Sequence, residues 1–125
     1  MILLLDAHAV LWALADPDRL SADARASIAA PINDVLVSAA SIWELEIQRA
    51  SGKLDLGPDL LADLERIRFE VLPVTGSDGI TAARLPMHHR DPFDRMLVAQ
   101  AQRLDATIVS RDAAFDAYEV GVLLA

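Results

Sequence analysis

The chain has 125 residues, of which 54% are hydrophobic, and its formal charge is −8. That length and apolar content suffice for one domain, residues 1–125, with a real core. The absence of cysteine excludes disulfides and thiolate metal sites, and a pI of about 4.6 excludes holding nucleic acid by bulk positive charge.

Ile2–Leu5 is a short all-apolar run, suited to a strand buried on both faces and ended by Asp6. It is too short and too soon charged for a signal peptide or a membrane span, so a cytoplasmic, membrane-free protein is expected. His8–Ala15 has helical character and is broken by Asp16-Pro17-Asp18. Ser21 can cap a short helix running to about Ala30, and Pro31–Asp34 forms a turn. Val35–Val37 reads as a second buried strand ending at Ser38. Ser41–Ala50 reads as a helix closed by Gly52. Pro58–Arg68 carries Leu60, Leu61, Leu64 and Ile67 on one helical face, and Phe69–Val74 reads as a strand with Pro73 near its end. Ser77–Leu85 is a short helix.

The segment His88–Gln102 is the most informative. Asp91 stands at an N-cap and Pro92 at the first helical position, so Asp94 is the third helical residue. The two carboxylates then share one face, with ~5–6 Å between their Cβ atoms. Thr107–Val109 is a further buried strand, followed by Ser110-Arg111-Asp112, a helical turn over Ala113–Ala117, and an edge strand over Val120–Leu124. Strands alternating with helices predict an α/β fold, a three-layer α/β/α sandwich around a mainly parallel sheet. Trp12 and Trp43, the only tryptophans, are expected in the core.

In an open parallel sheet, sites form beyond the carboxyl ends of the strands. Asp6, Asp112, Asp91 and Asp94 all fall at that edge, and Glu44 lies in the helix after Val35–Val37. Each has a structural alternative. Asp6 and Asp112 can cap helices, Asp91 with Asp94 resembles a capping box, and Glu44 can be solvated beside Gln48. Yet caps need not be acidic, whereas carboxylates gathered in one place are stable mainly around a cation. Oxygen ligands select Mg2+ or Mn2+, and such ions between acids and phosphates perform hydrolysis. Arg90, Arg95 and Arg111, with His88 and His89, form a candidate phosphate patch beside the acids. All the basic residues except Lys53 are Arg, a bias that genome composition equally explains.

The segments Leu3–His8, Val37–Glu44, His88–Arg95 and Val109–Asp112 together resemble PIN-domain ribonucleases, most of all the VapC toxins of bacterial toxin–antitoxin pairs. The resemblance implies an endoribonuclease dependent on Mg2+ or Mn2+. It matches Asp6, Glu44 and Asp94 to the three core acids of the family, Asp112 to the fourth, and Asp91 to an acid common in this branch. On that basis Asp6 and Asp94 are direct metal ligands, Asp112 binds directly or through water, and Glu44 is a ligand or orients the attacking water. Ala7 departs from the Thr frequent beside the first Asp. The resemblance also implies an RNA substrate, a homodimer, and a cognate antitoxin that lays a segment over the toxin and can insert an Arg into the acidic pocket. The competing reading is a catalytically silent α/β interaction module whose acids cap helices and bind a structural cation. A response-regulator receiver is set aside, because Asp6 is followed by Ala7 and the single Lys is Lys53.

Overall fold

The computed structural model describes all residues from Met1 to Ala125. In chain order its elements are β1 (Ile2–Leu5), α1 (Ala7–Ala15), α2 (Ala22–Ala29), β2 (Asp34–Ser38), α3 (Ala39–Ala50), α4 (Leu60–Arg66), β3 (Glu70–Leu72), α5 (Gly76–Arg84), α6 (Pro92–Leu104), β4 (Thr107–Ser110) and β5 (Gly121–Leu124). Two 3-10 turns, Pro17–Arg19 and Ala113–Ala117, sit before α2 and after β4.

The five strands form one sheet in the order β3-β2-β1-β4-β5, and every pairing is parallel. Leu5 of β1 lies opposite Val37 of β2 and Val109 of β4. Alternation along β1 divides the core. Leu3 and Leu5 pack with Val10, Leu45 and Leu64 from α1, α3 and α4, whereas Leu4 packs on the other face with Leu97, Val98 and Phe115. Both faces are therefore covered, which is why the strands are apolar throughout rather than alternating. The expected three-layer α/β/α arrangement is observed.

The chain builds outward from β1 through β2 to β3, then crosses to β4 and β5 on the other side. The reversal opens a crevice between β1 and β4 at their carboxyl ends, where open α/β sheets bind ligands. No helix is long and apolar enough to cross a membrane.

Several boundaries differ from the sequence expectation. The Pro58–Arg68 helix is shortened to Leu60–Arg66 because Asp59 caps it, accepting a hydrogen bond from Ala62 N. The Phe69–Val74 strand pairs only over Glu70–Leu72, and Pro73 has no N–H to continue it. The Ser41–Ala50 helix begins two residues earlier, since the Ser38 hydroxyl accepts from Ala40 N. Gly52 adopts φ +76° just past the end of that helix, a conformation that suits glycine.

Candidate active site

Asp6 is the first residue beyond β1, and its backbone N–H still donates to Val109 O of β4. Its Oδ1 caps α1 through Ala9 N at 2.8 Å, and its Oδ2 accepts from the Ser110 hydroxyl at 2.5 Å. Asp112 is built alike. Oδ1 caps the Ala113–Ala117 turn through Ala114 N at 2.9 Å, and Oδ2 lies 3.0 Å from His89 Nε2. Asp91 caps α6 with Oδ1 alone, accepting from Phe93 N and Asp94 N. Three acids thus do serve as caps, but each does so with one oxygen.

Asp94 completes no capping box. Its Oδ2 lies 2.8 Å from His89 Nε2, while the Asp91 N–H donates to His89 Nδ1 at 3.2 Å. Glu44, in the second turn of α3, has no hydrogen-bonding partner in the protein. Asp6, Glu44, Asp91, Asp94 and Asp112 all line one cavity of about 290 Å³, with Ala7, His8, Trp12, His89 and Arg111 completing its wall.

Burial and mutual repulsion set the charge of this cavity. Desolvation, followed by repulsion from Asp91 and Asp6, pushes the Glu44 carboxyl up to about 7. Desolvation and Asp91 push Asp94 up to about 7 as well, against the attraction of His89. Burial also raises Asp6, opposed by its bonds from Ser110 and Ala9. Asp112 is lowered, chiefly by the Ala114 N–H. His89, Asp94 and Asp112 also offer ligand atoms within 4.8 Å of one another, a candidate acidic metal site.

A pH dependence follows. Carboxyl groups raised in the folded state hold more protons than in the unfolded chain between about pH 4 and 7, so unfolding stability falls as pH rises through that window. The lowered Asp112 acts below this window and leaves the sign unchanged. The melting temperature in EDTA is therefore expected to fall from about pH 5 to about pH 8, and a divalent cation to flatten the fall by taking over the role of the protons. A melting temperature that climbs across this interval in EDTA would contradict the repulsive cavity.

Comparison with known proteins shows the family. The profile of the PIN domain matches residues 3–121. The chain belongs to the PIN domain family. A curated relative, ribonuclease VapC22 of Mycobacterium tuberculosis, is 31% identical over 112 residues, which is 87% of this chain and 85% of that protein. Among solved structures, VapBC2 from Rickettsia felis bound to a promoter DNA fragment superposes with a TM-score of 0.73 at 18% identity, covering 98% of both chains. FitAcB from Neisseria gonorrhoeae gives 0.68 at 23% identity, covering 99% of this chain and 97% of that one. At these identities the two structures speak for the fold alone, and it is the PIN-like fold.

Within this PIN domain the basic patch needs correction. Arg95 does not face the cavity. It is buried, and its Nη1 and Nη2 donate to the carbonyls of Pro86, His89, Ala82, Ala83 and Leu85. Its charge ties down the carboxyl end of α5 and the strap leading to α6, as suits a cation at a helix C-terminus. Arg90 is exposed and outside the cavity wall, and His88 packs edge-on against Tyr118. Arg111 remains on the wall. Its guanidinium stacks 4.2 Å from the Trp12 ring and donates to Ala125 O and Arg19 O.

The tryptophans also depart from expectation. Trp43 is 64% exposed and meets Phe93 edge-on at 5.3 Å. Trp12 is half-buried, joining the core on one side and the cavity on the other. Sequence reasoning missed Ser110 and Tyr118. The signal for Ser110 was its place at the end of a buried strand, one residue past Val109 and opposite Asp6.

Proposed function

We propose that this PIN-domain protein is an endoribonuclease that hydrolyses RNA phosphodiester bonds with Mg2+ or Mn2+, and that it is the toxin of a toxin–antitoxin pair. The observation that carries the reading is the gathering of five carboxylates in one cavity at the β1/β4 crevice of a PIN-family chain. The silent-module alternative explains the caps but not the carboxylate oxygens left without a donor. Asp91 Oδ2 and both oxygens of Glu44 have no donor in the protein, and two of the carboxyls are pushed up to about 7. Such a donor set fits a hard divalent cation.

In this reading residues 1–125 act as one catalytic domain. Asp6, Asp94 and Asp112 would hold the ion, with Asp91 beside them. When bound, the cation supplies Lewis acidity toward a phosphoryl oxygen and a lowered pKa for water. Glu44 either completes the ligand set or orients the attacking water, as its position on the wall of the same cavity allows. Arg111 Nη1 makes no bond within the protein, so a rigidly held charge on the cavity wall meets the incoming phosphate. The acidic cavity repels the RNA backbone until the ion offsets its charge.

The VapC22 relative is named a ribonuclease, and the Rickettsia structure is of a VapBC pair. A cognate antitoxin is therefore the expected partner, with RNA as substrate, a homodimer as the working form and the cytoplasm as the place of action. The test is incubation of the partner-free protein with total cellular RNA in Mg2+, Mn2+ or EDTA. Endonucleolytic fragments are expected with either ion and none in EDTA. Intact RNA in all three conditions, from protein shown to be folded, would return the chain to the silent interaction module.

A further inference from the structure

His89 is the residue the acidic cavity shares with the strap between α5 and α6. Its Nε2 reaches Asp94 Oδ2 at 2.8 Å and Asp112 Oδ2 at 3.0 Å, joining acids from two separate elements, α6 and the turn after β4. Its Nδ1 accepts the Asp91 N–H at 3.2 Å. A backbone amide is always a donor, so Nδ1 must present its lone pair and the ring proton must sit on Nε2. Nε2–H is then a donor aimed between two carboxylates.

The rest of the residue is held just as firmly. Its backbone N–H donates to the Tyr118 hydroxyl at 2.9 Å, and that hydroxyl donates to Pro86 O at 2.7 Å. Its carbonyl accepts from Arg95 Nη1 at 3.2 Å. The ring leans on buried Phe115 at 5.8 Å. Every bond on the residue therefore serves to hold Nε2 where it is.

Building on the cation-dependent reading above, we infer that His89 is a positioning residue: its Nε2–H bridges Asp94 and Asp112 and aims their remaining lone pairs at the ion, without ligating it. Ligation through Nε2 would require the proton to move to Nδ1, where it would meet the Asp91 N–H head-on. The nearness of His89 to both acids would by itself suggest a His-Asp-Asp metal site, and the backbone bond at Nδ1 decides against it. Carboxylate ligands are commonly oriented by such hydrogen bonds, and losing one typically costs about 10–100-fold in metal affinity.

The experiment measures Mg2+ and Mn2+ affinity by calorimetry for the wild type, His89→Ala and His89→Gln, with the ring 15N spectrum of the wild type recorded before and after Mg2+. Wild-type binding to neither ion would defeat the cation-dependent reading itself. Given wild-type binding, His89→Ala is expected to bind about 10–100-fold more weakly, and His89→Gln, whose amide N–H can reach both acids, to recover most of the loss. The Nε2 resonance is expected to stay that of a protonated nitrogen when Mg2+ is added. Unchanged affinity in His89→Ala, no recovery in a folded His89→Gln, or a switch of the ring to the Nδ1–H tautomer on Mg2+ binding would each overturn the positioning role.

Discussion

Asp94→Asn is expected to fold normally and to lose RNA cleavage by at least about a hundredfold, since a metal site supplies several kcal/mol of transition-state stabilisation and each ~1.4 kcal/mol is tenfold. The amide is nearly isosteric and can still accept from His89 Nε2, so the local geometry survives. What disappears is one negative charge, and a neutral amide is a poor ligand for a hard cation. The helix loses at most ~0.3–1 kcal/mol of dipole interaction. That loss is opposed by relief of the repulsion among Asp94, Asp91, Glu44 and Asp6. In EDTA the variant should therefore melt no lower than the wild type. The wild type should gain roughly 2.7 kcal/mol at a hundredfold excess of cation over the dissociation constant, and the variant should not.

Asp91 gives the contrast three residues away. Its Oδ1 bonds to Phe93 N and Asp94 N make it the cap of α6. Asp91→Asn keeps an equally good cap and should retain part of the activity, whereas Asp91→Ala should lose ~1 kcal/mol of stability. Thermal melting and cleavage rate on the three variants at matched Mg2+ separate the roles. Near-normal cleavage by Asp94→Asn beside a dead Asp91→Asn would exchange the two assignments, and normal cleavage by both would remove the nuclease role from this stretch.

The capping residues were legible because their chemistry is local. Asp91-Pro92 marks the start of α6, and short runs of apolar and β-branched residues mark β1, β2 and β4, using only interactions within a few residues. Strand order was not legible. Runs such as Leu3-Leu4-Leu5 and Val35-Leu36-Val37 are covered on both faces, so no alternation tells which neighbour each takes. That the acids stand at one edge follows from parallel strands alone, whereas their meeting in one cavity depends on the crossing from β3 to β4. Trp43 is exposed rather than in the core because its spacing on α3 turns it outward. Buried Ser41 and Leu45 define the inner face of α3, and a residue midway between them at 100° per residue points away. His88 and His89 are alike as letters, and only the tertiary bond to Asp91 N–H and the two acids distinguishes the second.

Arg95 carries the largest expected effect on stability. It stands three and four residues before buried Val98 and Ala99, so it shares their inward face, and this spacing was a readable sign that its charge serves the interior. Its guanidinium is the sole partner of the Ala83, Leu85 and His89 carbonyls, and it adds to the Leu85 N–H bond on Ala82 O and the Tyr118 hydroxyl bond on Pro86 O. Ala82 and Ala83 belong to the last turn of α5, where the helix leaves the Ala83 carbonyl without a donor, and Pro86 prevents the helix from continuing. Arg95→Met keeps the volume but strands the Ala83, Leu85 and His89 oxygens. A single hydrogen bond to a charged group is worth ~1.5–3 kcal/mol, and several are lost together. The variant should be destabilised by about 3 kcal/mol or more, a melting temperature lower by roughly 10 °C for a chain of this size. Arg95→Lys should recover little, because a compact ammonium with three donors cannot span the fork that reaches Ala82, Leu85, Pro86 and His89 at once. The strap it holds carries His89, so cation affinity should weaken along with stability. A phosphate-binding Arg would behave oppositely, with Arg95→Met leaving the melting temperature unchanged and raising KM for RNA. Melting curves and RNA kinetics on the two variants distinguish the outcomes, and an unshifted melting temperature would place Arg95 back among the phosphate contacts.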